Sequence, residues 1–347
     1  MSFSVGIIGI PNVGKSTLFK SLTKKDVPIA PRPFTTINPN VGIVQVPDER
    51  LEKIAQVIKP QKVTPTIIEF IDIAGLVKGA HRGEGLGNQF LAEIRNCDAI
   101  LEVVRVFKDE GVENILGELN PEKEIEIVKT ELLMKDLEAL DKSISKLEKR
   151  GDALADKKSD IKKLNILNKL KEGVSQGKLI SEIPLTEEEK LEIIEYQTLT
   201  AKPILYIFNI DNKTEFSDLK IRCLVVNLKE EAEMLELSEE EKKELGLQSK
   251  LDKLIVACYD SLNLITFFTV AGGEETRAWT LTKGSKILKA AKTVHSDFEE
   301  KFIRAEVINW QKLIEAGSWM KGREKGLIKT VGKDYLVEDG DVIEFKI

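Results

Sequence analysis

The chain has 347 residues, enough for two or three packed units, and a formal net charge of −6. The acidic balance argues against a protein coated in nucleic acid, and DNA is not expected as a partner, but a local basic patch remains compatible with it. No run reaches the ~18 consecutive apolar residues of a membrane span, and three unclustered cysteines, Cys97, Cys223 and Cys258, fit a reducing cytoplasm better than a disulfide scaffold.

In chain order, Val5 to Gly9 is a short apolar run ending in glycine, too brief for a signal peptide, and it reads as a strand. Lys15 to Leu22 follows as a helix, then strands at Val41 to Val46, Ile67 to Ile71 and Ala99 to Val104, with a helix from Leu86 to Arg95. Apolar strands alternating with helices predict an α/β domain whose parallel sheet is covered on both faces. From Pro121 to about Leu199 the composition turns to Lys, Glu, Leu and Ile. Leu133, Leu137, Leu140, Ile144 and Leu147 step by helical spacing and form a coiled-coil-like seam. Gly151-Asp152 breaks it, and Ile161, Leu164, Leu167, Leu170 and Val174 predict a second helix that pairs with the first as a projecting hairpin. Thr186 with Glu189, and Ser238 with Glu241, are capping boxes that open later helices.

Strand runs return at Pro203 to Phe208 and Cys223 to Val226, so the helical segment is an insertion within one α/β domain. The resulting division is 1–120 with 200–263, an insertion over 121–199, and a C-terminal module over 264–347. That module shows a hairpin (Thr266 to Val270, Thr276 to Thr280) around Gly272-Gly273 and a helix from Ile287 to Val294. Its last strand, Val342 to Lys346, follows the turn Asp339-Gly340-Asp341. The pattern is that of a small α+β, β-grasp-like fold.

Gly9 to Thr17 fits GxxxxGK[ST] between a strand and a helix, the context a phosphate loop needs. Backbone amides from Asn12, Val13 and Gly14 to Thr17 can approach phosphate oxygens, Lys15 reaches the β- and γ-phosphates, and Ser16 is a Mg²⁺ ligand. Asp72-Ile73-Ala74-Gly75 ends a strand as DxxG, so Asp72 is a second candidate at the metal and the Gly75 amide a γ-phosphate sensor. Between them, Thr35 and Thr36 lie in a loop that γ-phosphate would order, and Thr36 is the preferred metal ligand of the pair. Leu76 follows the DxxG where a glutamine would orient water, so slow intrinsic hydrolysis is expected. The strand ending in Asn209-Ile210-Asp211-Asn212 lacks the terminal aspartate of a guanine-reading NKxD segment. Without that carboxylate the charge-assisted bonds that select guanine are lost, and adenine becomes the favoured base.

These motifs, with Gly83 to Asn88, Phe267 to Val270, Arg277 to Thr280, Phe302 to Glu306 and Gly332 to Val342, resemble the YchF/Obg-like ATPase family across essentially the whole chain. The resemblance implies a P-loop G domain, a helical coiled-coil insertion and a C-terminal TGS domain of β-grasp fold. It also implies a Mg²⁺-dependent ATPase with ATP preferred over GTP, and association with the large ribosomal subunit through rRNA. In its terms Asn209 and Ile210 lie beside the adenine and Leu228 lines the purine. Asn12 stands where related enzymes bind K⁺, which adds K⁺ as a candidate cofactor. Two positions depart from the family: Asn212 replaces a usual glutamate, and Asn114 stands where a proposed catalytic histidine is often found, leaving His81 as the nearby candidate for positioning water. An ordinary GTPase translation factor and a non-hydrolysing, nucleotide-dependent RNA-binding adaptor are the alternatives. Lys283, Lys286, Lys289 and Lys292, with Lys321, Arg323, Lys325 and Lys329, are candidate rRNA contacts or else a solvated face balanced by acids.

Overall fold

The computed structural model describes residues 3–24, 40–73, 87–109, 111–150, 157–212, 223–271 and 273–347. Thr35, Thr36, Gly75, Leu76, His81, Gly151 and Gly272 lie outside the described residues. The chain forms two compact units, one comprising 4–42 and 70–250, the other 1–3, 43–69 and 251–347.

The fold of the first unit is that of a P-loop G domain with a helical insertion. The sheet with the order β2-β4-β1-β5-β6-β7 is formed by β1 (Phe3–Ile8), β2 (Val41–Gln45), β4 (Ile67–Asp72), β5 (Ala99–Arg105), β6 (Ile204–Asn209) and β7 (Cys223–Val226), of which residues 3, 43–45 and 67–69 are counted with the second unit. β1 runs parallel to β5, β5 to β6 and β6 to β7. Every residue of β5 is buried, as a central strand covered on both faces requires. The connection from β1 is α1 (Lys15–Lys24), and α3 (Gly87–Arg95) leads into β5. Because parallel strands share one direction, β1, β5 and β6 end at the same edge of the sheet, where open α/β sheets bind ligands.

The insertion opens with α4 (Pro121–Arg150), packed against α5 (Lys157–Ser175). Leu140, Ile144 and Leu147 are buried against Ile166, Leu167, Leu170 and Val174, so the two-helix hairpin forms along the expected seam. Ile161 is the exception. It is 56% exposed, while Leu164, Leu167 and Leu170 of the same predicted stripe pack in the seam. α6 (Glu187–Ile193) begins at Thr186 with the predicted capping box. Asp136 of α4 fastens the base of the arm: its carboxylate accepts from the amides of Leu199 and Thr200, both at 2.7 Å, and from Thr200 Oγ1 at 2.6 Å. Lys202 Nζ then donates to the carbonyls of Ile94, Arg95 and Cys97 and caps the end of α3. α7 (Leu228–Met234) and α8 (Glu239–Glu244) complete the unit, the latter with its capping box at Ser238.

In the second unit a mixed sheet has the order β11-β10-β12-β8-β9-β3. β8 (Leu264–Ala271) and β9 (Glu275–Thr282) are the predicted hairpin, paired antiparallel from Leu264↔Thr282 to Ala271↔Glu275. β12 (Asp341–Lys346) runs parallel to β8, and β10 (Arg304–Asn309) antiparallel to β12. α10 (Ile287–Val294) buries Ile287, Ala290 and Ala291 against this sheet, the β-grasp arrangement. The unit also takes in α2 (Glu49–Ile58) and β3 (Lys62–Thr64), a segment with no sequence expectation attached. Leu51 and Ile54 of α2 pack with Phe268, Ile308 and Val342, and β3 pairs parallel with β9. Arg50 fixes the helix by donating to Asp48 and, at 2.6 Å, to Asp339. α9 (Leu251–Ser261) joins the unit through Tyr259, whose hydroxyl donates to the Ile265 carbonyl. α11 (Ser296–Glu300), α12 (Trp310–Ala316), α13 (Trp319–Glu324) and β11 (Lys329–Val331) complete it.

Candidate functional site

The first unit holds all the described nucleotide and metal candidates. Gly9 leaves β1 at φ 145°, where an added Cβ would lie 2.4 Å from the Val103 carbonyl oxygen, so only glycine lets the loop pass β5. Asn12 adopts φ 66°, a left-handed conformation that asparagine tolerates. Gly14 stands at φ 108°, and a Cβ there would meet Asn209 Nδ2 at 2.6 Å and Leu228 Cδ1 at 3.1 Å. α1 starts at Lys15, and the bond from Leu18 N to Gly14 O closes its first turn. The amides of Lys15, Ser16 and Thr17 therefore precede the helix's own acceptors, and they lie at the positive end of its dipole.

Ser16 Oγ donates to Asp72 Oδ2 at 3.2 Å, which brings the loop and the end of β4 together across 56 residues of sequence. A hydroxyl and a carboxylate are hard oxygen donors, the chemistry a divalent cation such as Mg²⁺ takes. Lys15 is buried, and its ammonium donates to the Ile10 carbonyl at 2.9 Å. Burial pulls this ammonium down to about 8, against Asp72 and Glu124, which favour its charged form.

Asn209 ties the loop to the opposite wall. Its Nδ2 donates to the Val13 carbonyl at 2.9 Å, and its Oδ1 accepts from the Leu228 amide at 3.2 Å. Ile210 is half-buried beside it, with its amide bonded to the Val226 carbonyl. Asp211 Oδ2 accepts from the Lys108 amide at 3.0 Å, and Asn212 Oδ1 accepts from Asn227 Nδ2 at 2.9 Å. Of the sequence candidates, Asn12 to Thr17, Asp72, Asn209, Ile210 and Leu228 thus lie in one unit. Thr36, Gly75 and His81 fall outside the described residues.

Asn114 is occupied by its own turn: Oδ1 accepts from the Leu116 amide and Nδ2 donates to the Glu118 carbonyl, both at 2.9 Å. Among the described residues, three of the eight candidate basic side chains form ion pairs, Lys286 with Asp334 at 2.6 Å, Lys292 with Glu299 at 2.9 Å and Arg323 with Glu306. His295 Nδ1 accepts from the Asp297 amide at the start of α11.

Sequence reasoning missed a charged layer beneath the loop. Arg105, 4% exposed, donates from its guanidinium to the carbonyls of Phe107, Asp109, Val112 and Glu113, and it lies over the Phe107 ring at 4.3 Å. Asn12 Nδ2 donates to the same Glu113 carbonyl at 3.3 Å. Glu102 is pushed well up by burial and, after that, by Glu124. The available signal was two charges, Glu102 and Arg105, inside an apolar strand run, a pattern that marks buried charges in need of partners.

Residues 4–169 match the family described as 50S ribosome-binding GTPase. Residues 264–347 match YchF-GTPase_C, described as a protein of unknown function (DUF933). Over its whole length the chain is 44% identical to the ribosome-binding ATPase YchF of Bacillus subtilis (strain 168), across 99% of that protein. It is 41% identical to the ribosome-binding ATPase YchF of Escherichia coli O157:H7, covering 99% of each. The structure of the Schizosaccharomyces pombe YchF GTPase superposes with a TM-score of 0.87 at 34% identity, covering 99% of this chain and 98% of that one. Among the described residues no helix is long and apolar enough to cross a membrane.

Proposed function

The chain belongs to the YchF family of P-loop nucleotide-binding proteins, and from that premise we propose that it hydrolyses ATP in preference to GTP and couples the nucleotide state to ribosome binding. The observation that carries the reading is the bond between Ser16 and Asp72 at the mouth of the phosphate loop, with Lys15 rooted behind it. Triphosphate lies along the amides of Asn12 to Thr17, and Lys15 exchanges its Ile10 carbonyl for phosphate oxygens. Ser16, Asp72 and Thr36 would hold a divalent cation, Mg²⁺ in this proposal, which would supply charge neutralisation to the transferring phosphoryl group. Gly75 contributes its amide to the γ-phosphate, and His81 positions water in place of the glutamine that Leu76 displaces. Asn12 is the K⁺ contact, and equal rates in K⁺ and Na⁺ buffers would count against that role.

Base selection follows from donor and acceptor counts. Guanine presents two N–H donors on one edge, which a carboxylate receives together. Asn212 offers one oxygen, and that oxygen already accepts from Asn227. Adenine makes no such demand, and Asn209, Ile210 and Leu228 bound its site. The three-part division proposed is 1–120 with 200–263 as the G domain, 121–199 as a partner-contacting arm, and 264–347 as a TGS domain meeting rRNA of the large subunit in the cytoplasm. Isothermal titration of ATP against GTP in K⁺ buffer tests the preference, and equal affinities would return the chain to the ordinary GTPase class. Single-turnover hydrolysis with and without large ribosomal subunits tests the coupling, and no turnover in either leaves a non-hydrolysing adaptor.

A further inference from the structure

The ends of β6 and β7 are joined by a relay of side-chain amides. The two strands run parallel with Asn209 opposite Val226, so the segments that follow them, 210–212 and 227–228, leave the sheet side by side. Asn227 is the N-cap of α7, and its Oδ1 accepts from the Glu230 amide at 3.2 Å. That bond fixes the direction of the carboxamide, because a backbone N–H only donates and the side-chain oxygen alone can receive it. Asn227 Nδ2 is left to donate, and it does so to Asn212 Oδ1 at 2.9 Å. The second carboxamide follows from the first: facing a donor, Asn212 must present its oxygen to Asn227. Asn212 Nδ2 then has no acceptor among the described residues, and the side chain is exposed.

Asn212 stands at the position from which a guanine-reading segment accepts the N1 and N2 hydrogens of the base. A carboxamide there is ambivalent, since it carries an acceptor and a donor and can turn either one to the purine. We propose that Asn227 is a specificity-determining residue that acts through Asn212. By holding the Asn212 oxygen it leaves an N–H donor for the purine edge, which suits the unprotonated N1 of adenine and opposes the N1–H of guanine. The inference rests on the ATP preference proposed above and gives it a second source. Loss of the carboxylate removes an attraction for guanine, whereas the relay adds a repulsion against it.

The test is competition binding of the imido analogues of ATP and GTP, with Mg²⁺, to the full chain, read as the ratio Kd(GTP)/Kd(ATP). Asn227→Asp keeps an oxygen for the Glu230 amide, and aspartate caps a helix as well as asparagine does. Its other oxygen is an acceptor, so Asn212 turns Nδ2 to the carboxylate and its own oxygen to the base. ATP loses a bond, GTP gains one, and the ratio falls by about tenfold. The added charge acts on both triphosphates alike and drops out of the ratio. Asn227→Ser keeps the cap without the carboxamide donor. Asn212 is then free to take either orientation, and the ratio falls by about threefold. In an Asn212→Ala background, Asn227→Asp leaves the ratio unmoved, because the relay has lost its middle member.

With ATP preferred by wild type, an unchanged ratio in Asn227→Asp overturns the proposal and leaves the nucleotide reading standing. So does a shift of the same size in the Asn212→Ala background, which would mean that the new carboxylate meets the base directly. If a melting curve shows Asn227→Asp to be unfolded, Asn227→Ser decides, and an unchanged ratio there overturns the proposal in the same way. A wild type that binds the two analogues equally, or neither of them, overturns the reading above and this inference together.

Discussion

Replacing Asn209 by alanine separates the two walls of the nucleotide site. The substitution leaves the Val13 carbonyl and the Leu228 amide without partners, and both residues are buried, at 0% and 1% exposure. Each of the two lost bonds is a net ~0.5–1.5 kcal/mol, and an orphaned buried donor adds about 1–3 kcal/mol, so the local cost is roughly 2–6 kcal/mol. Water entering the vacated volume returns part of this, which leaves about 1.4–2.8 kcal/mol to be met when nucleotide orders the site. At ~1.4 kcal/mol per decade, ATP affinity weakens by about 10- to 100-fold. Titration with a fluorescent ATP analogue reads the Kd, and a melting curve checks the fold. Asn209→Asp serves as the control: it keeps an acceptor for Leu228 but turns an oxygen toward the Val13 carbonyl, so it stays weak. A folded Asn209→Ala protein with a Kd within threefold of wild type would refute the idea that this side chain braces the loop.

Four further outcomes are expected. Gly14→Ala forces a Cβ to 2.6 Å from Asn209 Nδ2 at a φ of 108°, so nucleotide binding is lost while circular dichroism stays native-like. Lys15→Ala removes charge-assisted bonds of about 1.5–3 kcal/mol to phosphate and lowers triphosphate affinity, which calorimetry measures; unchanged affinity contradicts the site. Ser16→Ala deletes the hydroxyl beside Asp72, and the divalent-cation concentration for half-maximal hydrolysis rises about tenfold in a Mg²⁺ titration of the rate. Asp136→Ala orphans the Leu199 and Thr200 amides at the base of the arm and destabilises the protein by about 3 kcal/mol in urea titration, with protease sensitivity expected first within 121–199.

The phosphate loop, the DxxG aspartate, the helical hairpin and the β8–β9 hairpin were legible in the chain because each is a local pattern. Glycine spacing, capping pairs such as Thr186 with Glu189, and periods of 3.6 or 2 act between residues a few positions apart. Family resemblance, not a local pattern, marked Asn209 and Leu228 as base-side residues, without saying what they touch. Ile161 shows the limit of periodicity: it shares the predicted stripe with Leu164, Leu167, Leu170 and Val174, which pack in the seam, yet it stays exposed.

Tertiary structure alone decided which distant groups share a site. Asn209 meets Val13 across 196 residues and Arg50 meets Asp339 across 289, pairings that no local spacing encodes. It also placed 43–69 with the C-terminal sheet, since α2 buries Leu51 and Ile54 against side chains more than two hundred residues away in the chain. Charge is the deepest case. Glu102 and Arg105 show in sequence only as charges inside an apolar run, and it is burial, which raises the cost of each unpaired charge, that commits Arg105 to the carbonyls of Phe107, Asp109, Val112 and Glu113.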